Sequence, residues 1–167
     1  MREKKIKHFL LFGFALLLSV LLCNASSVGA EGDVSVDELL SAPEEIEIDN
    51  RMYVLDVFLW RDFMPFCPPN GRPLIASISV TATDSLELPK SIDADRIWIV
   101  NGGDVWESGF SSEERARHSS HNHLEKIARG GPKWSTGIMV DVVVMVIDGS
   151  DNIYLIKASD QPINRTE

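Results

Sequence analysis

The longest regular run of apolar residues outside the N-terminus extends from Ile138 to Ile147. Its even positions are all isoleucine or valine, and its odd positions are apolar apart from Asp141. Because successive side chains of a β-strand point to opposite faces, the run predicts a strand that is covered on both faces. Asp148–Asn152 follows and is rich in turn-forming residues, and the apolar segment Ile153–Ala158 comes next. The stretch therefore predicts a β-hairpin at the centre of a sheet.

Other segments show the two-residue period of strands. Leu74–Thr83 alternates apolar and small polar residues, which is typical of a strand with one buried and one solvent-exposed face. Arg51–Trp60 is also predicted as a strand, with Phe58 and Trp60 on the same face. Leu124–Arg129 fits either a strand or a helix, and we interpret it as a strand for consistency with its neighbours.

A further hairpin is indicated around Asn101-Gly102-Gly103, a sequence favoured in tight turns. The flanking strands are predicted at Arg96–Val100 and Asp104–Glu107, which places Trp98 and Trp106 on adjacent strands. We interpret these rings as core residues, since large aromatic side chains dominate core packing. An exposed tryptophan pair that binds a sugar or a peptide is the alternative.

About seven strands without strand–helix alternation predict a mainly β fold, an antiparallel β-sandwich. Over Arg51–Ser159 the pattern resembles the immunoglobulin and fibronectin type III class at the level of the fold, and Trp98 would match the core tryptophan of strand C. Ile78 and Val142 lie near the places where antibody domains carry their cysteine pair. The phrases ADRIWIVNGGDVW and ARGGPKW resemble those of uncharacterised exported bacterial proteins. The resemblance implies a fold and no particular activity.

Residues 1–30 have the composition of a secretory signal peptide. Basic residues precede the apolar segment Phe9–Leu22, which is shorter than the roughly 20 residues of a membrane-spanning helix. Val28-Gly29-Ala30 then offers small residues for cleavage. We therefore expect export to the periplasm or the extracellular space, with no transmembrane segment in the mature chain. A lipid anchor at Cys23 is the alternative, and the large Leu22 before the cysteine disfavours it.

The mature chain is expected to consist of a flexible lead-in, Glu31–Asn50, and a single domain over residues 51–167. Val34–Leu40 could form a short helix in the lead-in, and Glu44–Ile48 suits an exposed arm or an edge strand. Cys67 is the only cysteine after residue 30, so the fold must be stable without an intramolecular disulfide bond.

Net charge limits the possible partners. The whole chain carries −9, and removing residues 1–30 leaves about −12. Nucleic acids and anionic membrane surfaces favour lysine and arginine, so we expect neither as a partner.

Three histidines, His118, His121 and His123, lie close together with Glu125 nearby. Imidazole is a common ligand of Zn²⁺ and Cu²⁺, so this cluster is a candidate metal site. The spacing matches no standard motif, and a solvated polar loop is the alternative.

The sequence shows neither a nucleophile in a diagnostic turn nor a phosphate-binding glycine loop. We therefore expect a non-enzymatic domain that needs no cofactor and binds or associates with another protein, for example through Pro65–Pro73 or Ser111–His123. A periplasmic metal-binding protein that uses the three histidines is the main alternative, and a small hydrolase is a third.

Overall fold

The computed structural model describes residues 34–110 and 122–167. In chain order its elements are α1 (Val36–Ser41), β1 (Glu45–Ile48), β2 (Arg51–Asp62), β3 (Leu74–Ala82), β4 (Asp93–Asn101), β5 (Asp104–Gly109), β6 (His123–Gly131), β7 (Met139–Ile147) and β8 (Ile153–Thr166). The prediction of a mainly β protein is confirmed. Within these residues, no helix has the length and apolar character required to cross a membrane.

The strands form one mixed, curled sheet in the order β5-β4-β7-β8-β2-β3-β6, and β1 pairs separately with β2. Among the described strand pairs, only β2 and β8 run parallel. The two ends of the sheet approach each other. Lys126 Nζ of the end strand β6 lies 2.7 Å from Asp93 Oδ1 of β4, which is next to the other end strand. A sandwich consists of two separate sheets, whereas here the parallel pair joins the described strands into one. The immunoglobulin-like antiparallel sandwich therefore stays a prediction.

The strand β8 is longer than the sequence pattern indicates. Its first part pairs with β7, and Ile163–Thr166 pairs with β2. Between the two parts, Asp160 has a φ of 52°, and the register with β7 shifts. The polar residues around this bulge interrupt the period-two pattern, which is why the predicted strand ended at Ala158.

The main core lies on the concave side of the curled sheet. In β7 its members are the four even-numbered valines, which are at most 3% exposed. On the opposite face of β7, Val143 is fully buried in a second cluster with Trp98 and Leu39. The prediction that this strand is covered on both faces is therefore confirmed for its central residues.

The second cluster is closed by α1, in the segment interpreted above as a flexible lead-in. Ser35 caps this helix by accepting a hydrogen bond from Glu38 N at 3.2 Å. Leu39 is 1% exposed, and Lys157 Nζ donates to Leu40 O at 2.7 Å. The lead-in is thus packed onto the sheet, because short elements are stabilised mainly by tertiary contacts rather than by local propensity.

The turn between β7 and β8 is built around Asp148. Its carboxylate accepts hydrogen bonds from Ser150 N, Asn152 N, Asn152 Nδ2 and Tyr154 Oη, at 2.7 to 3.1 Å. These bonds, the one from the Asn152 side chain above all, lower the pKa of Asp148. The predicted hairpin is confirmed, and the donors come from the turn itself and from Tyr154 at the start of β8.

Acid is expected to weaken the segment that follows β3. Arg51 Nε and Nη2 donate to the two carboxylate oxygens of Asp84 at 2.7 and 2.8 Å, and these bonds lower the pKa of Asp84 to about 2. A folded-state pKa below the unfolded value of about 4 stabilises the fold above that pH, and the contribution is lost as the pH falls towards 2. We expect Asp84→Asn to lower the Tm by a few degrees at about pH 7, and the difference to close by about pH 2.

Thermal unfolding followed by circular dichroism across this pH range tests the expectation. The exposed Asp104, replaced by asparagine, is the matched control. A Tm difference between Asp84→Asn and the parent that stays constant down to pH 2 would contradict the role of the ion pair.

Candidate functional site

The outer face of β2, β3 and β6 carries a pair of aromatic rings. Phe58 and Trp60 lie two residues apart on β2, with ring centroids 5.4 Å apart and planes inclined by 31°. Phe58 is 52% exposed, and Trp60 is partly exposed. The neighbouring strands add four residues to the same face: Ile75 and Ser77 of β3, and Ile127 and Arg129 of β6. We call these six residues the open face.

Polar residues border the open face on the next rows of the sheet. Thr81 Oγ1 donates to Asp56 Oδ2 at 3.1 Å, and Ser77 Oγ donates to Glu125 Oε1 at 3.3 Å. The hydroxyls and carboxylates are therefore paired with each other across the strands. An apolar centre with a polar rim is the usual anatomy of a protein–protein contact surface.

The sequence placed Phe58 and Trp60 on one face of a strand, but the open face itself was missed. The signal that could have found it is the polar face of Leu74–Thr83. Since β3 pairs with β2 from Tyr53 to Trp60, the solvent-exposed face of β3 is continuous with the face of β2 that carries the two rings. The outward side of the β2 pattern is therefore on the surface and not in the core.

Beside the open face, the sheet splits between β2 and β8. The pairing of β1 with β2 ends at Val54, and the pairing of β8 with β2 begins at Leu59. The gap opens into a cavity of about 270 Å³. We call it the crevice; it is lined by Glu44, Glu45, Val54, Leu55, Lys157, Ala158, Ser159 and Gln161.

Backbone groups of β2 point into the crevice. Thr83 N donates to Met52 O at 3.0 Å, so the even-numbered residues of β2 direct their N–H and C=O groups towards β3. Leu59 O accepts a hydrogen bond from Asn164 Nδ2 of β8, so the odd-numbered residues face the other way. The N–H and C=O groups of Leu55, which lines the crevice, therefore face away from β3, and so do those of Val57, the next odd-numbered residue. On this side of both residues the described ladders provide no partner strand.

The side chains around the crevice make it acidic. Lys157 Nζ is held by the carbonyl of Leu40 at 2.7 Å, and Ser159 Oγ donates to Glu44 Oε1 at 2.6 Å. Glu45 is exposed at the rim. Two carboxylates thus lie beside backbone groups that can both donate and accept.

The structure separates the two tryptophans proposed as a binding pair. Trp98 is opposite Glu107 and Trp106 is opposite Ile99, so the two rings are on opposite faces of the β4–β5 hairpin. Trp98 is 2% exposed in the cluster under α1, and Trp106 is half-buried against the main core. The pair therefore does not form one exposed aromatic site, and the core interpretation describes both positions.

Of the three candidate metal ligands, His118 and His121 lie outside the described residues. His123 begins β6 opposite Thr81, at the polar border of the open face. Over residues 34–110 and 122–167, no three His, Cys, Asp or Glu side chains form a group suited to a metal ion. The histidine site stays a prediction.

The proline-rich connection between β2 and β3 is fixed by hydrogen bonds from the Arg61 side chain to the carbonyls of Asn70 and Arg72. Within it, Phe66 is fully exposed with a φ of 80°, and Cys67 is half-buried, with Arg72 Nε donating to its Sγ at 3.3 Å.

Asp141, the partly buried carboxylate of β7, accepts a hydrogen bond from Asp160 N at 3.1 Å. This bond supports the bulge of β8.

No family model, curated protein or solved structure matches this chain.

Proposed function

We propose that this chain is an exported, non-enzymatic binding domain whose partner is another protein. The observation that supports this best is the open face, because Phe58 and Trp60 present adjoining rings at the surface of a regular sheet. Aromatic residues and arginine are enriched where proteins bind each other, and a few such residues carry most of the binding energy. A rigid sheet also loses little conformational entropy when a partner docks.

The electrostatics of the open face support a protein partner over a nucleic acid. Asp56 and Glu125 border it, and the mature chain is expected to carry about −12. Phosphate backbones require the opposite charge. The hydroxyl–carboxylate pairs at this border fix side-chain positions, which suits recognition more than proton transfer.

Export and the immunoglobulin-like sandwich are part of the same proposal. The apolar segment of residues 9–22 and the small residues before Glu31 support export, and the predominance of antiparallel pairs in the curled sheet supports a domain of that general class. Sandwich domains commonly bind through strands and end loops, and here we place the contact on strands.

Site-specific photo-crosslinking tests the open face. Phe58 is replaced by p-benzoylphenylalanine in the protein expressed in its source cells, and Leu86, which is 63% exposed outside the face, is replaced in the same way as a control. We expect a discrete crosslinked protein from position 58 and none from position 86. Equal crosslinking from both positions would contradict the proposal.

The identified partner then allows a quantitative measurement. Phe58→Ala should weaken its binding about tenfold or more, as expected for an aromatic anchor, while Leu86→Ala leaves the Kd unchanged. Both side chains are mainly exposed, so neither variant should change the Tm by more than a few degrees. Calorimetric titration measures the affinities, and an unchanged Kd for Phe58→Ala would place the interface elsewhere.

A further inference from the structure

We infer that the crevice receives a short extended segment of the partner, which pairs with β2 as an additional strand. This inference deepens the proposed function and rests on it. On the crevice side of β2, the N–H and C=O groups of Leu55 and Val57 have no partner strand in the described ladders, although Leu55, which lines the crevice, is only 8% exposed. Backbone groups in such places are normally paired, and strand addition is a common way in which proteins bind extended peptides.

The dimensions of the crevice suit a peptide of a few residues. From Val54, where β1 ends its pairing, to Leu59, where β8 begins, β2 rises by roughly 16 Å at about 3.3 Å per residue. The cavity of about 270 Å³ opens at the Val54–Leu55 end of this interval. An added strand would pair with the unpartnered groups and be bounded at both ends by β1 and β8.

The charge of the crevice selects the kind of peptide. Glu44 and Glu45 provide two carboxylates, and Lys157 provides one ammonium group, which is directed at the carbonyl of Leu40 and keeps its charge, so the carboxylates outnumber the cation by one. An extended segment that carries lysine or arginine would gain an ion pair at the rim, and an acidic segment would be repelled.

The crevice also adjoins the open face. Asp56 and Phe58 alternate along β2 with Leu55 and Val57, so the outward side chains of an added strand would lie beside Phe58. One partner can therefore pair its backbone with the edge of β2 and pack an apolar side chain on the aromatic pair. This continuity is why we assign the crevice to a protein segment rather than to an unrelated small molecule.

A synthetic peptide provides the test. The probe is an acetylated and amidated pentapeptide, Thr-Val-Lys-Val-Thr, whose extended length of about 16 Å matches the interval, titrated into the ¹⁵N-labelled protein. We expect saturable shifts of the Leu55 and Val57 amide resonances and at least about tenfold slower hydrogen exchange at both amides. Two further probes carry N-methyl groups on alternate residues, one on the odd-numbered and one on the even-numbered residues. Only one of these two patterns removes the N–H donors that point towards β2, and that probe should bind about tenfold more weakly.

Charge variants provide the second arm. Glu45→Lys should weaken binding of the lysine probe several-fold and improve binding of the same peptide with glutamate in place of lysine. Glu47→Lys is the matched control, since Glu47 is exposed on the same strand but does not line the crevice. Both variants change surface residues, so folding is not at issue.

The inference is overturned if the lysine probe gives no saturable shifts, which would mean that water alone fills the crevice. It is also overturned if neither pattern of N-methylation changes the affinity. A third contrary result is a set of shifts at Phe58 and Trp60 without shifts at Leu55 and Val57. The proposed function fails on a separate result, namely a natural partner whose binding ignores Phe58→Ala. Failure of the probe therefore leaves the open face standing.

Discussion

Replacing Arg61 with leucine is expected to lower the free energy of unfolding by about 3 kcal/mol. Arg61 is at the end of β2 and is 4% exposed. Its guanidinium donates to Arg72 O at 3.0 Å, Trp134 O at 2.8 Å and Lys133 O at 3.3 Å, and also to Asn70 O. Leucine would leave these carbonyls without their charged donor, and leaving a buried acceptor unpaired costs about 1–3 kcal/mol.

The same side chain fixes the loop between β2 and β3 through an aromatic contact. Phe63 lies between the guanidinium of Arg61, at 5.0 Å from its ring centroid, and that of Arg165, at 3.9 Å. Gly71 approaches this ring with a φ of 68°, and a Cβ there would lie 2.7 Å from it. The proline-rich segment is therefore a stiff connection closed onto the sheet.

Urea unfolding of Arg61→Leu and Arg61→Lys measures the effect. Lysine retains the charge but cannot span the same carbonyls, so it should recover part of the stability, roughly half. Hydrogen exchange should rise most in the loop of residues 64–73. A loss below about 1 kcal/mol for Arg61→Leu would show that solvent satisfies the four carbonyls equally well.

The strands could be predicted from sequence because each depends on a local period. The even-numbered valines of β7 and the alternation of Leu74–Thr83 show which faces are buried before any partner is known. The second half of β8 could not be predicted, since its pairing with β2 depends on a bulge at Asp160 and on a strand about one hundred positions earlier. The polar residues Ser159, Asp160 and Gln161 at this bulge interrupt the two-residue period, so the sequence does not show that the strand continues.

The candidate site shows the same division. That Phe58 and Trp60 share a face follows from their spacing, but their exposure depends on the register with β3 and β6. The crevice arises where β1 and β8 meet the same edge of β2 without filling it, and no single segment records that. The alternative of one exposed tryptophan pair also depended on the register, because the hairpin offsets Trp98 from Trp106 by one residue and places the two rings on opposite faces.

Replacing Trp98 with alanine is expected to lower the free energy of unfolding by about 3–5 kcal/mol, the usual range for a buried large aromatic residue. The ring is 2% exposed between β7 and α1, where Leu39, Ala42 and Val143 belong to the same cluster. Its Nε1 donates to Glu107 Oε2 at 3.0 Å, and Arg96 Nη1 donates to the other oxygen of that carboxylate at 2.9 Å. Truncation would therefore leave a cavity and remove one of the apolar residues on which α1 packs.

Trp98→Phe separates packing from the hydrogen bond. Phenylalanine fills most of the space but cannot donate to Glu107, so we expect a smaller loss of about 1–2 kcal/mol. Urea unfolding gives both values, and hydrogen exchange should show α1 opening in the alanine variant before the main core does. Normal stability of Trp98→Ala together with loss of partner binding would return Trp98 to the role of a ligand contact. The burial of the ring beneath α1 argues for the opposite result, in line with the interpretation of Trp98 as a core residue: its ring holds α1 on the sheet.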